Sequence, residues 1–188
     1  LIGFVPQDDM LIEELTVYQN LYFNARLCFG DYNEEQLKKT VGKVLFDLDL
    51  FDIKDLQVGD VMNKKVSGGQ RKRLNIGLEL MREPVVLFID EPTSGLSSFD
   101  SEKVMNLLRN QALLGKLVFA IIHQPSSDII KMFDRLWLLD RGGYMIYDGD
   151  PVEALVYFKT ETSQANAAES ECPTCGNVET DNILHIIE

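Results

Sequence analysis

The apolar positions of this chain fall into short continuous runs and longer spaced ones, which together predict an alternation of strands and helices. Ile2-Gly3-Phe4-Val5 is a strand-like run closed by Pro6 and Gln7. The next segment carries reciprocal capping pairs, Thr16 with Gln19 and Asn33 with Gln36, which predict helices over roughly residues 17–29 and 34–48. Residues 55–66 are polar and irregular, and they lead to Ser67-Gly68-Gly69-Gln70, again with capping-box spacing. A helix runs from there to about Arg82, before Pro84 stops it.

Val85 to Ile89 is continuously apolar and ends in Asp90-Glu91-Pro92, the pattern of a strand buried on both faces of a parallel sheet. A helix over about 98–114 closes at Gly115, and a second buried strand, Leu117 to Ile122, ends at His123, on the same sheet edge as Asp90. This strand-helix-strand order specifies an α/β domain. Ser126 opens a short helix, Arg135 to Leu139 reads as a strand, and Gly142-Gly143 turns it into Tyr144 to Tyr147 as a hairpin. Asp150-Pro151-Val152-Glu153 opens a last helix. A Ser, Thr, Ala, Gln and Glu stretch over 159–171 then reads as a linker to Cys172-Pro173-Thr174-Cys175.

Composition narrows the function classes. A chain of 188 residues, 45% hydrophobic, is sized for one globular core. Its net charge of −12 argues against nucleic acid as a partner, because phosphate contacts need concentrated Lys and Arg. No apolar run reaches the roughly 18 residues of a membrane-spanning helix, so a membrane role would be borrowed from a partner. Three cysteines without a signal-peptide pattern fit a reducing compartment. The chain starts at Leu1 directly in a strand and ends at Glu188, straight after the apolar stretch 183–187, and is expected to be a fragment.

Two adjacent acids at a strand tip meet a recurring need of nucleotide hydrolysis: Asp90 to hold Mg²⁺, Glu91 to face the attacking water. Ser67-Gly68-Gly69-Gln70 offers a hydroxyl, close backbone approach and unpaired amides at the positive end of a helix, which is an anion site. Arg71, Lys72 and Arg73 read at least as well as a solvated helix face as they do as phosphate contacts, and are not assigned as ligands. His123 can place an imidazole near a transferring phosphate, and Gln7 can reach a metal or a water through its amide.

In their order, Gln7, Val66-Ser67-Gly68-Gly69-Gln70, Val85 to Glu91, Ser94-Gly95-Leu96 and His123 resemble the Q-loop, signature, Walker B, D-loop and H-loop of ABC ATPases. Val5-Pro6-Gln7-Asp8-Asp9, Arg71-Lys72-Arg73 and Ile122-His123-Gln124-Pro125-Ser126-Ser127 further resemble the ABCG-type (pigment, sterol and drug) branch and its bacterial relatives. The likeness covers residues 1–158, as a partial P-loop NTPase (RecA-like) domain in which residues 8–82 form the helical subdomain. It implies ATP and Mg²⁺ as cofactors, a second cassette as head-to-tail partner, a transmembrane domain on the same or another chain, and a place on the cytoplasmic face of a membrane. It also implies site roles: Glu91 polarises water, Asp90 and Gln7 organise Mg²⁺, His123 steadies the γ-phosphate and Glu91, and the signature motif caps the partner's ATP.

Two departures qualify this. Ser97 stands where the family's D-loop has Asp, the next acid being Asp100, and no G-x-x-x-x-G-K-[ST] occurs in these 188 residues. The resemblance therefore implies that a central strand is missing, that the fragment alone is inactive, and that it is poorly stable; a sharp, reversible melt of the isolated monomer would refute the last of these. Residues 172–188 resemble half of a zinc ribbon, with Cys172 and Cys175 as thiolates and His185 as a possible third ligand. A soluble ABC ATPase acting on DNA or ribosomes and a regulatory pseudo-ATPase stay open as alternatives.

Overall fold

The computed structural model describes residues 1–60, 65–161 and 178, and divides the chain into two compact units, Leu1–Ile122 and His123–Glu188. The first unit holds β1 (Ile2–Val5), α1 (Val17–Cys28), α2 (Glu34–Asp47), a single 3-10 turn (Phe51–Ile53), α3 (Gly68–Leu80), β2 (Val86–Asp90), α4 (Ser98–Leu113) and β3 (Leu117–Ile121). The sheet is parallel throughout, in the order β1-β2-β3, with Val5 beside Ile89 and Ile89 beside Ala120. This is the expected mixed α/β architecture.

Three helices begin with the same device. Thr16, Asn33 and Ser67 each accept a hydrogen bond from the amide three residues on, and the side-chain oxygen of the Gln there accepts one from the cap's own amide. Beyond the caps the helices differ. α1 and α2 bury apolar stripes at four-residue spacing, Val17-Leu21-Ala25 and Leu37-Val41-Leu45, and pack on each other. α3 is buried without interruption from Arg71 to Gly77. It lies against α1, α4 and β1, and approaches so closely that a methyl group at Gly77 would meet Leu48.

The sheet corrects one expectation. Among the described residues β2 and β3 are covered on one face only: Leu87 and Ile89 are buried, while Phe88 is 40%, Leu117 54% and Ile121 65% exposed. α3 packs on β1 and α4 on β3, and the opposite face carries Phe4, Phe88 and Phe119 in one register row, with the Phe88 and Phe119 rings stacked at 4.9 Å. The continuous apolar run of β2 is therefore suited to cover on two faces but receives it on one. Cys28, the last residue of α1, is half-buried; of the apolar residues Leu21, Phe23 and Leu27 on the same helix only Leu21 is interior, while Phe23 and Leu27 are exposed.

The second unit contains α5 (Ser127–Ile130), capped by Ser126, the antiparallel hairpin β4 (Leu136–Leu139) and β5 (Met145–Gly149), and α6 (Glu153–Glu161). Asp140 closes the hairpin by accepting from the amides of Gly142 and Tyr144, and Gly143 takes the left-handed conformation the turn requires. Ala154, Leu155 and Phe158 of α6 form a small core with Leu136, Leu138, Ile146 and Tyr147.

Candidate functional site

The tips of β1 and β2 build the site. Val5 and Ile89 are register partners, and two residues beyond each stand Gln7 and Glu91. Gln7 Nε2 donates to Glu91 Oε2 at 2.7 Å, so a side chain separated by 84 positions in sequence orients the second acid. On the other side, the Glu91 amide donates to the carbonyl of Ile121, the last residue of β3. Glu91 is held at a φ of 39°, in the left-handed region that non-glycine residues seldom occupy. Asp90, the register partner of Ile121, ends β2 and is half-buried.

Gln7 gives an amide hydrogen to Glu91, and its side-chain oxygen Oε1 and the Asp90 carboxylate are hard oxygens of the type Mg²⁺ takes. Among the described residues no group of three or more His, Cys, Asp or Glu side chains could hold a metal. A Mg²⁺ carried by phosphates asks for only one or two protein carboxylates.

The second element of the candidate site is the exposed tip of α3. Ser67 Oγ accepts from the Gln70 amide at 3.2 Å, and Gln70 Oε1 accepts from the Ser67 amide at 2.9 Å. The Ser67 hydroxyl keeps its own proton for donation outward, and Gly68 is exposed beside it. Gly69 is buried for a different reason: a Cβ there would lie 2.4 Å from the Asp100 carboxylate. Asp100 in turn accepts from the Ser97 hydroxyl at 3.1 Å and lies 4.0 Å from the Arg73 guanidinium, all within the same chain.

The basic run behind the signature motif overturns its expected reading as a solvated face. Arg71, Lys72 and Arg73 are only 7, 7 and 4% exposed. Arg71 forms a two-point pair with Asp9, at 2.7 and 3.1 Å, and also reaches the carbonyl of Gly59. Arg73 donates to the carbonyl of Leu48 at 3.0 Å. Lys72 Nζ donates to the carbonyls of Gln7 at 2.9 Å and Pro6 at 3.3 Å, and comes within 3.5 Å of that of Asp90. Burial lowers the pKa of Lys72, and the nearby Asp90, Asp9, Asp8 and Glu91 pull it back up. A signal for this was present in the sequence: three consecutive residues sweep about 200° of a helix, too much for one solvated face.

His123 follows β3 by two residues, opens the second unit and is exposed. Cys172, Cys175 and His185 lie outside the described residues. No described helix is long and apolar enough to cross a membrane.

With this geometry in place, comparison with known proteins agrees with the resemblance. Residues 1–94 match the family described as ABC transporter, and the chain belongs to that family. It is 43% identical over 161 residues to ABC transporter G family member 28 of Arabidopsis thaliana, covering 85% of this chain and 14% of that protein. Against the broad substrate specificity ATP-binding cassette transporter ABCG2 of Bos taurus the identity is 40% over 157 residues, or 83% of this chain and 24% of the relative. Against the ABC multidrug transporter SNQ2 of Candida glabrata it is 42% over 150 residues, 79% of this chain and 10% of the relative. These matches support the G-type branch, and the chain spans less than a quarter of the length of each of these relatives.

Proposed function

We propose that this chain supplies the hydrolytic and signature parts of a nucleotide-binding cassette that drives a membrane transporter. The observation that carries the reading is the Gln7–Glu91 hydrogen bond across the tips of adjacent parallel strands, with Asp90 one residue away. Glu91 acts as the base that orients and polarises water, and Gln7 fixes its carboxylate. The Asp90 carboxylate and the side-chain Oε1 of Gln7 are the oxygens that would hold Mg²⁺, which supplies charge neutralisation on the phosphates when bound.

Ser67, through its retained proton, and the amides of Gly68, Gly69 and Gln70 at the head of α3 present donors outward to the triphosphate of a second cassette. His123 serves as donor to the γ-phosphate. The membrane domain lies on the same polypeptide or a partner, and the cassette works at the cytoplasmic face.

The test uses the full-length polypeptide, because hydrolysis needs a phosphate-cradling loop that these 188 residues do not contain. It should capture ATP in a magnesium-dependent way. Glu91→Gln should keep that capture and lower turnover by at least about 100-fold, the range for loss of a general base. Unchanged hydrolysis would remove Glu91 from its role.

A further inference from the structure

Lys72 is an ammonium placed where no phosphate is needed to explain it. Its three donors face three main-chain carbonyls, two in the Pro6-Gln7 turn after β1 and one at Asp90 in β2. A buried amine with all its partners on backbone reads no side-chain chemistry; it fixes where segments of chain run. The segments are those that carry Gln7 and Glu91, and the element that fixes them is α3, which begins at the signature motif. One turn of helix therefore separates the exposed Ser67-Gly68 tip from the group that sets the strand tips. Arg71, paired with Asp9, holds the same turn from its far end.

The geometry points to Lys72 as a positioning residue that couples the signature helix to the hydrolytic pair, by clamping the Pro6-Gln7 and Asp90 carbonyls so that Gln7 stays on Glu91. A shift of α3 when its tip is engaged is transmitted through this ammonium to the turn bearing Gln7. The tip can thus report to its own chain's strand tips, not only to a nucleotide on the opposite cassette. Lys72 touches no reacting atom, so its removal should lower turnover while leaving nucleotide affinity intact. Its effect should also depend on Gln7 being present.

This inference rests on the proposed roles of Gln7 and Glu91, and its test separates the two. In the full-length protein, Lys72→Met should lower kcat at least tenfold with KM for ATP within twofold, and Lys72→Arg, which keeps charge and donors, should recover most of the loss. In a Gln7→Ala background, Lys72→Met should cost less than threefold more, because the contact it protects is already gone. Without any nucleotide, hydrogen exchange at the amides of residues 7–10, where that of Met10 donates to Asn75 of α3, should quicken at least tenfold in Lys72→Met while α1 and α2 stay protected.

Additive losses in the double variant, or unchanged exchange at the amides of residues 7–10, overturn the coupling. If Lys72→Met fails to fold, the same cycle with Lys72→Gln decides on the same criteria. If Glu91→Gln leaves hydrolysis unchanged, the hydrolytic reading fails on its own, and the exchange experiment still decides whether Lys72 holds the turn.

Discussion

α2 and α3 are nearly the same length, start with the same reciprocal cap, and carry three basic residues each, yet they use them in opposite ways. Lys38, Lys39 and Lys43 of α2 are exposed, and the nearest acid to Lys38 is its helical neighbour Glu34 at 3.8 Å. Arg71, Lys72 and Arg73 of α3 are interior and spend their donors on Asp9 and on backbone carbonyls of distant segments. The cap is thus a local rule that says where a helix starts. Whether its cations hold the fold together is decided by what surrounds the helix. α2 has one covered face, and α3 is enclosed by α1, α4 and β1.

The comparison can be broken most forcefully at Arg71. Arg71→Met strands the part-buried Asp9 carboxylate and the Gly59 carbonyl, and leaving a charge without its partner in such a place costs about 3 kcal/mol. Hydrogen exchange in the full-length protein should show α3 and residues 8–13 losing protection together, and a loss confined to the helix would mean that the pair is not holding the turn.

The glycines sharpen the contrast next. Gly69→Ala in α3 forces the Asp100 carboxylate aside and should cost about 1–3 kcal/mol, the range for overpacking. Gly42→Ala in α2 meets nothing within 4 Å and should stabilise the helix by roughly 0.5–1 kcal/mol. The prediction is opposite signs in local opening free energies, and equal signs would show that α3 has room it does not display.

Smaller still is Lys38→Ala, where loss of an exposed i,i+4 pair should stay within about 0.5 kcal/mol in the same measurement. Arg135, exposed in the second unit, gives the smallest effect and a pH test. It holds Asp148, which also accepts from the indole of Trp137, and the Arg135 hydrogen bond lowers the Asp148 pKa. A carboxylate with a depressed folded pKa contributes fully above its ordinary value of about 3.9, and that contribution is lost as pH falls through the folded value. Trp137 is the only tryptophan of these 188 residues, and in a protein with no other tryptophan its emission should shift in that acidic window and not between pH 6 and 8. Asp148→Asn should abolish the shift.

Much of this was readable in the sequence because it is local. Thr16/Gln19, Asn33/Gln36 and Ser67/Gln70 placed three helix starts, and the Val85–Ile89 run followed by two acids placed β2 and its tip. Gln7 was legible only through its order relative to the later motifs; nothing local distinguishes an amide after a strand. What escaped was environment. Charge normally marks a solvent face, and the counter-evidence for Arg71 lies 62 residues away at Asp9. The row of exposed Phe4 and Phe88 with half-buried Phe119 escaped for the converse reason: a run without polar residues is suited to cover on both faces, but does not say which face receives it.

The twist in the main chain at Glu91 has an evolutionary corollary. Glycine is the residue that best tolerates a φ of 39°, so a selection that rewarded only soluble yield would be expected to discard the glutamate there. One codon would then separate an easily produced protein from a working one, with the two pressures pulling opposite ways at a single position.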